Sequence, residues 1–486
     1  MPNGSLTGFK EKCQVNLDKL HQAGMSVSVV KDDKVIFCEG FGFRDVDQKL
    51  NMNEKTLLPI GSATKSFTAS GVLMLQDEGL VDIDKPLHDY MPELVFQDHA
   101  ANAEITARDL LCHRTGLPRH DYLWVLRPNI GRRELVESIR KLEPSAPFRS
   151  RWQYNNLMFA SAGYLIEKLT GTRWEDWTRE RIFEPLGMKR ATFNCEDSVI
   201  DGNFALAYQR DSKTHDLNPV TYSRVTANGP AGSINASADE LTRWLRFNLG
   251  KGTFGGDELL KAATFPQLTS PNIAYTLYPW EYPETLSMGY GLGWFVDCYR
   301  GKTLVWHGGN VNGSTAMVAF MPELNIGMTS QVNTGGSALP IATMYDAFDR
   351  LMGYADAKDW GEEIGKAMDA FRGKAEEERK NKADKRKPTR TAREFSDFEG
   401  TYRNDPYGTV KVQAKDDQQT IVLLEGRHEF ENWHYDVFSA HIKLEMSETD
   451  VEVNFLTGQS GDIEALEIQV EGPPVKPIRF NKEAKQ

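Results

Sequence analysis

Strand-like runs at both ends of a mainly helical stretch constrain this chain most. Near the N-terminus, Met25-Ser26-Val27-Ser28-Val29-Val30 and Val35-Ile36-Phe37-Cys38 flank the polar pair Asp32-Asp33. β-branched and aromatic runs around such a turn predict a hairpin. Strand character returns from Gly289 to Ser330, with Gly291–Val296, Leu304–Trp306 and Ala316–Phe320 as candidate strands. Between them, Glu134–Leu142, Asn156–Leu169, Trp174–Ile182 and Asp239–Leu249 carry helical spacing, and Phe9–Gln22 reads as a short amphipathic helix. The expected fold class is α+β. One antiparallel sheet joins the early hairpin to the late strands, flanked by helices, with the long helical insert beside it.

Composition changes after residue 355. Lys374–Arg390 is almost all charged, which reads as a solvated helix end or linker rather than a binding tail. Short alternating runs follow: Gly408–Val412, Thr420–Glu425, Ile442–Met446, Val451–Leu456 and Ile463–Val470. They predict a separate small antiparallel barrel or sandwich. The expected division is residues 1–355, a charged helical linker over 356–392, and a β unit over 393–486.

The 486 residues are 40% hydrophobic and 26% charged, enough for a sizeable core. A net charge of −12 repels polyanions, so no nucleic-acid partner is expected. Five scattered cysteines without a Cys-x-x-Cys pair exclude a disulfide framework or a zinc site and suggest free thiols in a reducing compartment. No signal-peptide core and no membrane-length apolar run is seen, so a cytoplasmic protein without a membrane partner is expected. No metal or organic cofactor is implied, for there is no ligand cluster and no Gly-rich phosphate loop.

Chemistry enters at Ser62-Ala63-Thr64-Lys65, which precedes an apolar helical run. Residues three apart on a helix share a face, so Ser62 and Lys65 lie together. A serine needs a base to become a nucleophile, and a lysine serves once burial or neighbouring charge lowers its pKa. Alone, the tetrapeptide is also what a helix N-terminus with a capping Ser and an exposed Lys looks like. Two distant motifs shift the reading: Tyr154-Asn155-Asn156 before a helical run, and His307-Gly308-Gly309-Asn310 after a strand.

In this order the three motifs resemble the active site of the serine β-lactamase and penicillin-binding protein family, nearest its class C, esterase and D-aminopeptidase branch. Ile105–Pro118, Ile182–Met188 and Pro230–Ser237 also look like that family. The resemblance covers about residues 10–350, and the C-terminal unit, with Phe398-Glu399-Gly400-Thr401-Tyr402, looks like the lipocalin-like domain appended to some members. It implies that Ser62 forms an acyl-enzyme while Lys65 and Tyr154 share the proton, either one being the base. The backbone N–H groups of Ser62 and Asn310 would form an oxyanion hole, with Gly309 permitting close approach. Asn156 would bond a substrate amide or hold Lys65. His307 stands where penicillin-recognising members usually carry Lys, and a histidine is expected to be a weaker, pH-dependent anchor. The implied activity is hydrolysis of a small ester, amide or D-amino-acid peptide. Acyl transfer at the same site, or a non-catalytic scaffold or filament former, are the alternatives. Self-association as a homo-oligomer is left open. His113 is expected to make structural hydrogen bonds, and Tyr122, Trp124, Trp152, Tyr208 and Trp294 to be core or pocket wall.

Overall fold

The structure is a computed structural model. It describes residues 4–484 except 277–281, 356, 385, 388, 416–417, 424–425 and 445–446. After helix α1 (Phe9–Lys19) come strands β1 (Gly24–Lys31) and β2 (Lys34–Asp45). Asp32 and Asp33 both take positive φ, 50° and 60°, so a two-residue turn closes the hairpin with the twist its strands need. A short strand β3 (Leu50–Asn51) pairs with β2.

The late strands are β4 (Thr285–Tyr290), β5 (Phe295–Tyr299), β6 (Lys302–Val311), β7 (Ser314–Met321) and β8 (Ile326–Val332). The eight strands form one antiparallel sheet in the order β4-β5-β6-β7-β8-β1-β2-β3. Chain ends meet where β1 pairs with β8, from Met25 opposite Val332 to Lys31 opposite Ile326. The expected joining of hairpin and late strands is therefore present.

Helices cover both faces of this sheet. Gln331 Nε2 donates to the Ala236 carbonyl at 2.9 Å, just before helix α4 (Ala238–Leu249), on one side. Thr343 of helix α5 (Leu339–Met352) meets Met25 Sδ at 3.7 Å on the other. Burial on both faces explains why β1 is buried almost throughout rather than alternating. The helical insert contains α2 (Thr64–Asp77) and α3 (Asn156–Thr170), both buried along most of their length.

Three details differ from the sequence reading. The segment expected as a strand over Gly291–Val296 is paired only from Phe295, because Gly291 N–H closes a turn onto the Trp294 carbonyl at 2.8 Å and Gly293 takes a φ of +72°. The His307 motif lies inside β6, not after a strand. The Trp174–Ile182 helix changes to π-type winding over Arg179–Phe183.

Helix α6 (Trp360–Asp384) carries the charged segment. Beyond it, strands β9 (Gly400–Asn404), β10 (Gly408–Lys415), β11 (Gln418–Leu423), β12 (Gly426–His434), β13 (Val437–Leu444), β14 (Ser447–Thr457), β15 (Ile463–Ile468) and β16 (Ile478–Lys482) close into a barrel. Residues 424–425 and 445–446, the ends of two expected strands, lie outside the described residues. Phe398, Phe430, Phe438 and Phe455 fill the interior at ring separations of 4.7 to 6.4 Å. All five cysteines are free thiols. Among the described residues no helix is long and apolar enough to cross a membrane.

The barrel docks on the helical insert. Tyr407 and His120 share a hydrogen bond of 2.6 Å, the Tyr122 N–H donates to Glu471 at 2.6 Å, and Lys141 pairs with Asp405 at 2.6 Å.

Candidate active site

A 3-10 turn over Gly61–Ala63 leads into α2, and Ser62 sits in that turn, partly exposed. Gly61 takes a φ of +51°, and a Cβ there would stand 2.8 Å from the Asn310 nitrogen. A Cβ on Gly309 would lie 1.8 Å from the Ile60 carbonyl oxygen and 2.9 Å from the Ser62 nitrogen. Turn and strand can touch only because both positions are glycine. That contact brings the backbone nitrogens of Ser62 and Asn310 to one place.

Lys65 is completely buried one turn beyond Ser62. Its Nζ lies 3.1 Å from Ser62 Oγ, 2.7 Å from Asn156 Oδ1 and 2.8 Å from the Ala231 carbonyl oxygen. Burial pushes its pKa well below the ordinary lysine value, helped by the charge of Arg119 and opposed by Asp121.

Tyr154 enters just ahead of α3. Its hydroxyl faces Ser62, which lowers its pKa, and Lys65 Nζ lies 4.7 Å from its ring centroid. His113 and Trp152 pack on the ring at 4.4 and 5.9 Å. Burial raises the Tyr154 pKa above the ordinary phenol value, more than Ser62 lowers it. Asn155 fixes the motif in space. Its Oδ1 caps α3 by accepting from the Leu157 N–H at 2.9 Å, and its Nδ2 donates to the carbonyls of Leu117 and Pro118. The Asn155 N–H donates to His113 Nδ1 at 3.1 Å, the structural role expected for that histidine.

His307 differs from expectation. It is buried, and burial pushes its pKa down to about 3, so the ring is neutral at physiological pH. Nδ1 lies 2.7 Å from the Gly308 carbonyl and so carries the proton, which leaves Nε2 to accept from the Tyr290 hydroxyl at 3.1 Å. With both nitrogens engaged, His307 is not a pH-dependent cation near neutrality. It remains a candidate substrate contact, uncharged near neutrality.

The sequence reading missed an inner carboxylate. Asp121 accepts from Asn156 Nδ2 at 3.0 and 3.2 Å, pairs with Arg119, and accepts from Trp124 Nε1 at 3.3 Å. Burial pushes its carboxyl up, but these partners offset that and hold it below the usual range. Asn156 thus bridges Asp121 to Lys65, its amide orientation fixed at both ends. Glu471 of the barrel stands next to this group, and burial together with Asp121 raises it to about 8. Of the other aromatics, Trp152 walls the site, whereas Tyr208 lies apart, its hydroxyl accepting from the Val46 N–H at 2.8 Å.

Residues 11–347 match the family described as Beta-lactamase, and residues 384–482 match a domain of unknown function (DUF3471). An "Unguisins hydrolase ungD'" from Aspergillus campestris is 31% identical over 365 residues, 72% of this chain and 67% of that protein. The octameric penicillin-binding protein homologue from Pyrococcus abyssi superimposes with a TM-score of 0.62 at 21% identity, over 98% of this chain and 100% of that one. The D-amino acid amidase from Ochrobactrum anthropi does so with a TM-score of 0.56 at 22% identity, over 71% of this chain and 98% of that one. With the family match spanning most of the chain, and a relative named as a hydrolase, this protein belongs to the beta-lactamase family of serine hydrolases.

Proposed function

We propose that the chain hydrolyses an amide bond of a small peptide through an acyl-enzyme on Ser62, with Lys65 as the base. The observation that carries this reading is the set of neighbours around Lys65. Asn156 Oδ1 and the Ala231 carbonyl can only accept, at 2.7 and 2.8 Å. A neutral amine has two hydrogens for those two acceptors and one lone pair left, which faces Ser62 Oγ at 3.1 Å. The lowered Lys65 and raised Tyr154 pKa values favour the same state, a neutral amine beside a protonated phenol.

In this scheme Lys65 takes the Ser62 proton as Oγ attacks the carbonyl carbon. The resulting oxyanion is held by the N–H groups of Ser62 and Asn310. Tyr154 gives its proton to the departing amine and is reprotonated from Lys65. Water then attacks the acyl ester, giving its proton to Lys65, and the acid leaves as Ser62 regains its hydrogen. The relative named a hydrolase of unguisins and the neighbour named an amidase support amide cleavage. A neutral His307 supplies no cation for a substrate carboxylate, which disfavours penicillins as substrates. The barrel, lipocalin-like in its strand number, serves as a docked wall rather than a carrier, since rings fill its interior.

A fluorophosphonate probe followed by peptide mass spectrometry tests the scheme. The adduct is expected on Ser62 in the native protein and lost in Lys65→Met. A fully labelled Lys65→Met protein, or no adduct on native Ser62, overturns it.

A further inference from the structure

Four consecutive residues of the helical insert, 119–122, divide between two neighbours. Arg119 and Asp121 turn toward the site. The Arg119 guanidinium lies 5.6 Å from the Tyr154 ring centroid, and Asp121 accepts from Asn156 Nδ2 at 3.0 and 3.2 Å. His120 and Tyr122 are held from the barrel. The His120 ring shares its 2.6 Å hydrogen bond with the Tyr407 hydroxyl, and the Tyr122 N–H donates to Glu471 at 2.6 Å. His120, Tyr407 and Glu471 are all buried.

This segment has little structure of its own. Residues 117–120 belong to no helix or strand, and a single turn of helix, Tyr122–Val125, follows. Asn155 fixes the upstream end through the Leu117 and Pro118 carbonyls. Downstream, Arg127 donates to the Pro406 carbonyl of the barrel at 3.2 Å. One turn of helix does not hold its shape unaided. The barrel's grip therefore sets where Asp121 stands.

The use of that position follows from the chemistry of an amide. Asn156 has one accepting end and one donating end. Asp121, whose carboxyl is held below the usual range, is ionised and can only accept. It takes Nδ2 and leaves Oδ1 to Lys65 at 2.7 Å. With the amide reversed, Nδ2 would face Lys65 and claim the lone pair that now faces Ser62 Oγ at 3.1 Å.

We propose that the barrel is a positioning element for the base: Tyr407 and Glu471 pin residues 120 and 122, Asp121 between them orients Asn156, and Asn156 keeps the Lys65 lone pair on Ser62. The proposal rests on the Ser62 hydrolase reading. It gives the domain over residues 384–482 a task in the reaction without any contact with the reacting atoms.

The test is a double-mutant cycle on kcat/KM for p-nitrophenyl acetate. Asp121→Leu is expected to lower kcat/KM at least thirtyfold, and Asp121→Asn, which keeps an acceptor for Nδ2, to recover most of that loss. Tyr407→Phe with Glu471→Leu is expected to lower it at least tenfold. Glu471→Gln in place of Glu471→Leu keeps the acceptor for Tyr122 and is expected to recover most of the rate. Added to Asp121→Leu, the barrel pair should cost less than a further twofold, because both act on one linkage. Near-native rates in the barrel pair, or losses that multiply in the combined variant, overturn the proposal. Should Asp121→Leu fail to fold, the barrel pair and its recovery by Glu471→Gln carry the test. If native Ser62 takes no fluorophosphonate, the hydrolase reading fails instead. The ε-13C signal of Lys65, assigned against Lys65→Met, then decides the linkage alone. The barrel pair is expected to move that signal in the native background and not in Asp121→Leu, and an unmoved signal in the native background rejects the linkage.

Discussion

Among the described residues Lys65 has no charged partner in bonding reach, and the cost of burying an ammonium falls away if the group is an amine. Lys65→Met keeps the buried volume and removes the base, so acylation of an activated ester should fall roughly 10²–10⁴-fold, the span typical of a lost general base. Stopped-flow release of nitrophenol measures this. Burial of His307 gives a second prediction. Its pKa is about 3 folded and near the ordinary histidine value unfolded, so between these the unfolded chain binds the extra proton. Stability from this group is therefore full near neutrality and falls as pH drops below about 6.5. Melting temperatures from pH 7 to 4 should decline less steeply in His307→Gln than in the native protein.

At the scale of elements, the site depends on two joints. The first is Asn155, which caps α3 and holds two loop carbonyls. Asn155→Ala loses the cap and leaves those carbonyls unpaired, which should cost roughly 2–4 kcal/mol, readable by urea denaturation. The second is the contact between β6 and the Ser62 turn. Gly309→Ala places a methyl 1.8 Å from the Ile60 oxygen, so the strand must move away from the nucleophile. Turnover should fall by at least tenfold, about 1.4 kcal/mol, while the far-ultraviolet circular dichroism spectrum stays native. Some of this was legible beforehand. The Ser62–Lys65 spacing needs only helix geometry, and the Asp32-Asp33 turn needs only local sterics. Strand β8 escaped because Thr329, Ser330 and Gln331 interrupt its apolar pattern, and inside the sheet Thr329 meets Ser28 at 2.8 Å while Gln331 donates to the Ala236 carbonyl at 2.9 Å. The Ala231 carbonyl left no sequence signal, since any residue supplies one.

Over the whole molecule, the acidic group at the barrel contact could not be read from sequence, because Asp121 and Glu471 meet only after both units fold. Arg119 and Asp121 are the charges beside Glu471, and the Tyr122 N–H is bound to it. Its pKa is about 8 folded against about 4.5 for an ordinary glutamate, so stability from this group is full below pH 4.5 and is lost as pH rises through 8. Hydrogen exchange of residues 119–127 and 405–407 should quicken between pH 7 and 9 in the native protein, and less so in Glu471→Gln, which keeps an acceptor for Tyr122. The 25-residue helix α6 bears on what such loosening means. Its first residue, Trp360, is locked in place, donating to Asp349 at 2.8 Å and packing on the Tyr345 ring at 4.6 Å. The helix stays docked as far as Arg372, which donates to the Gly336 carbonyl at 3.0 Å, so a barrel released from its seat would swing on the remaining arm of about 18 Å. Its return would be a unimolecular event, as fast in dilute solution as in a crowded one.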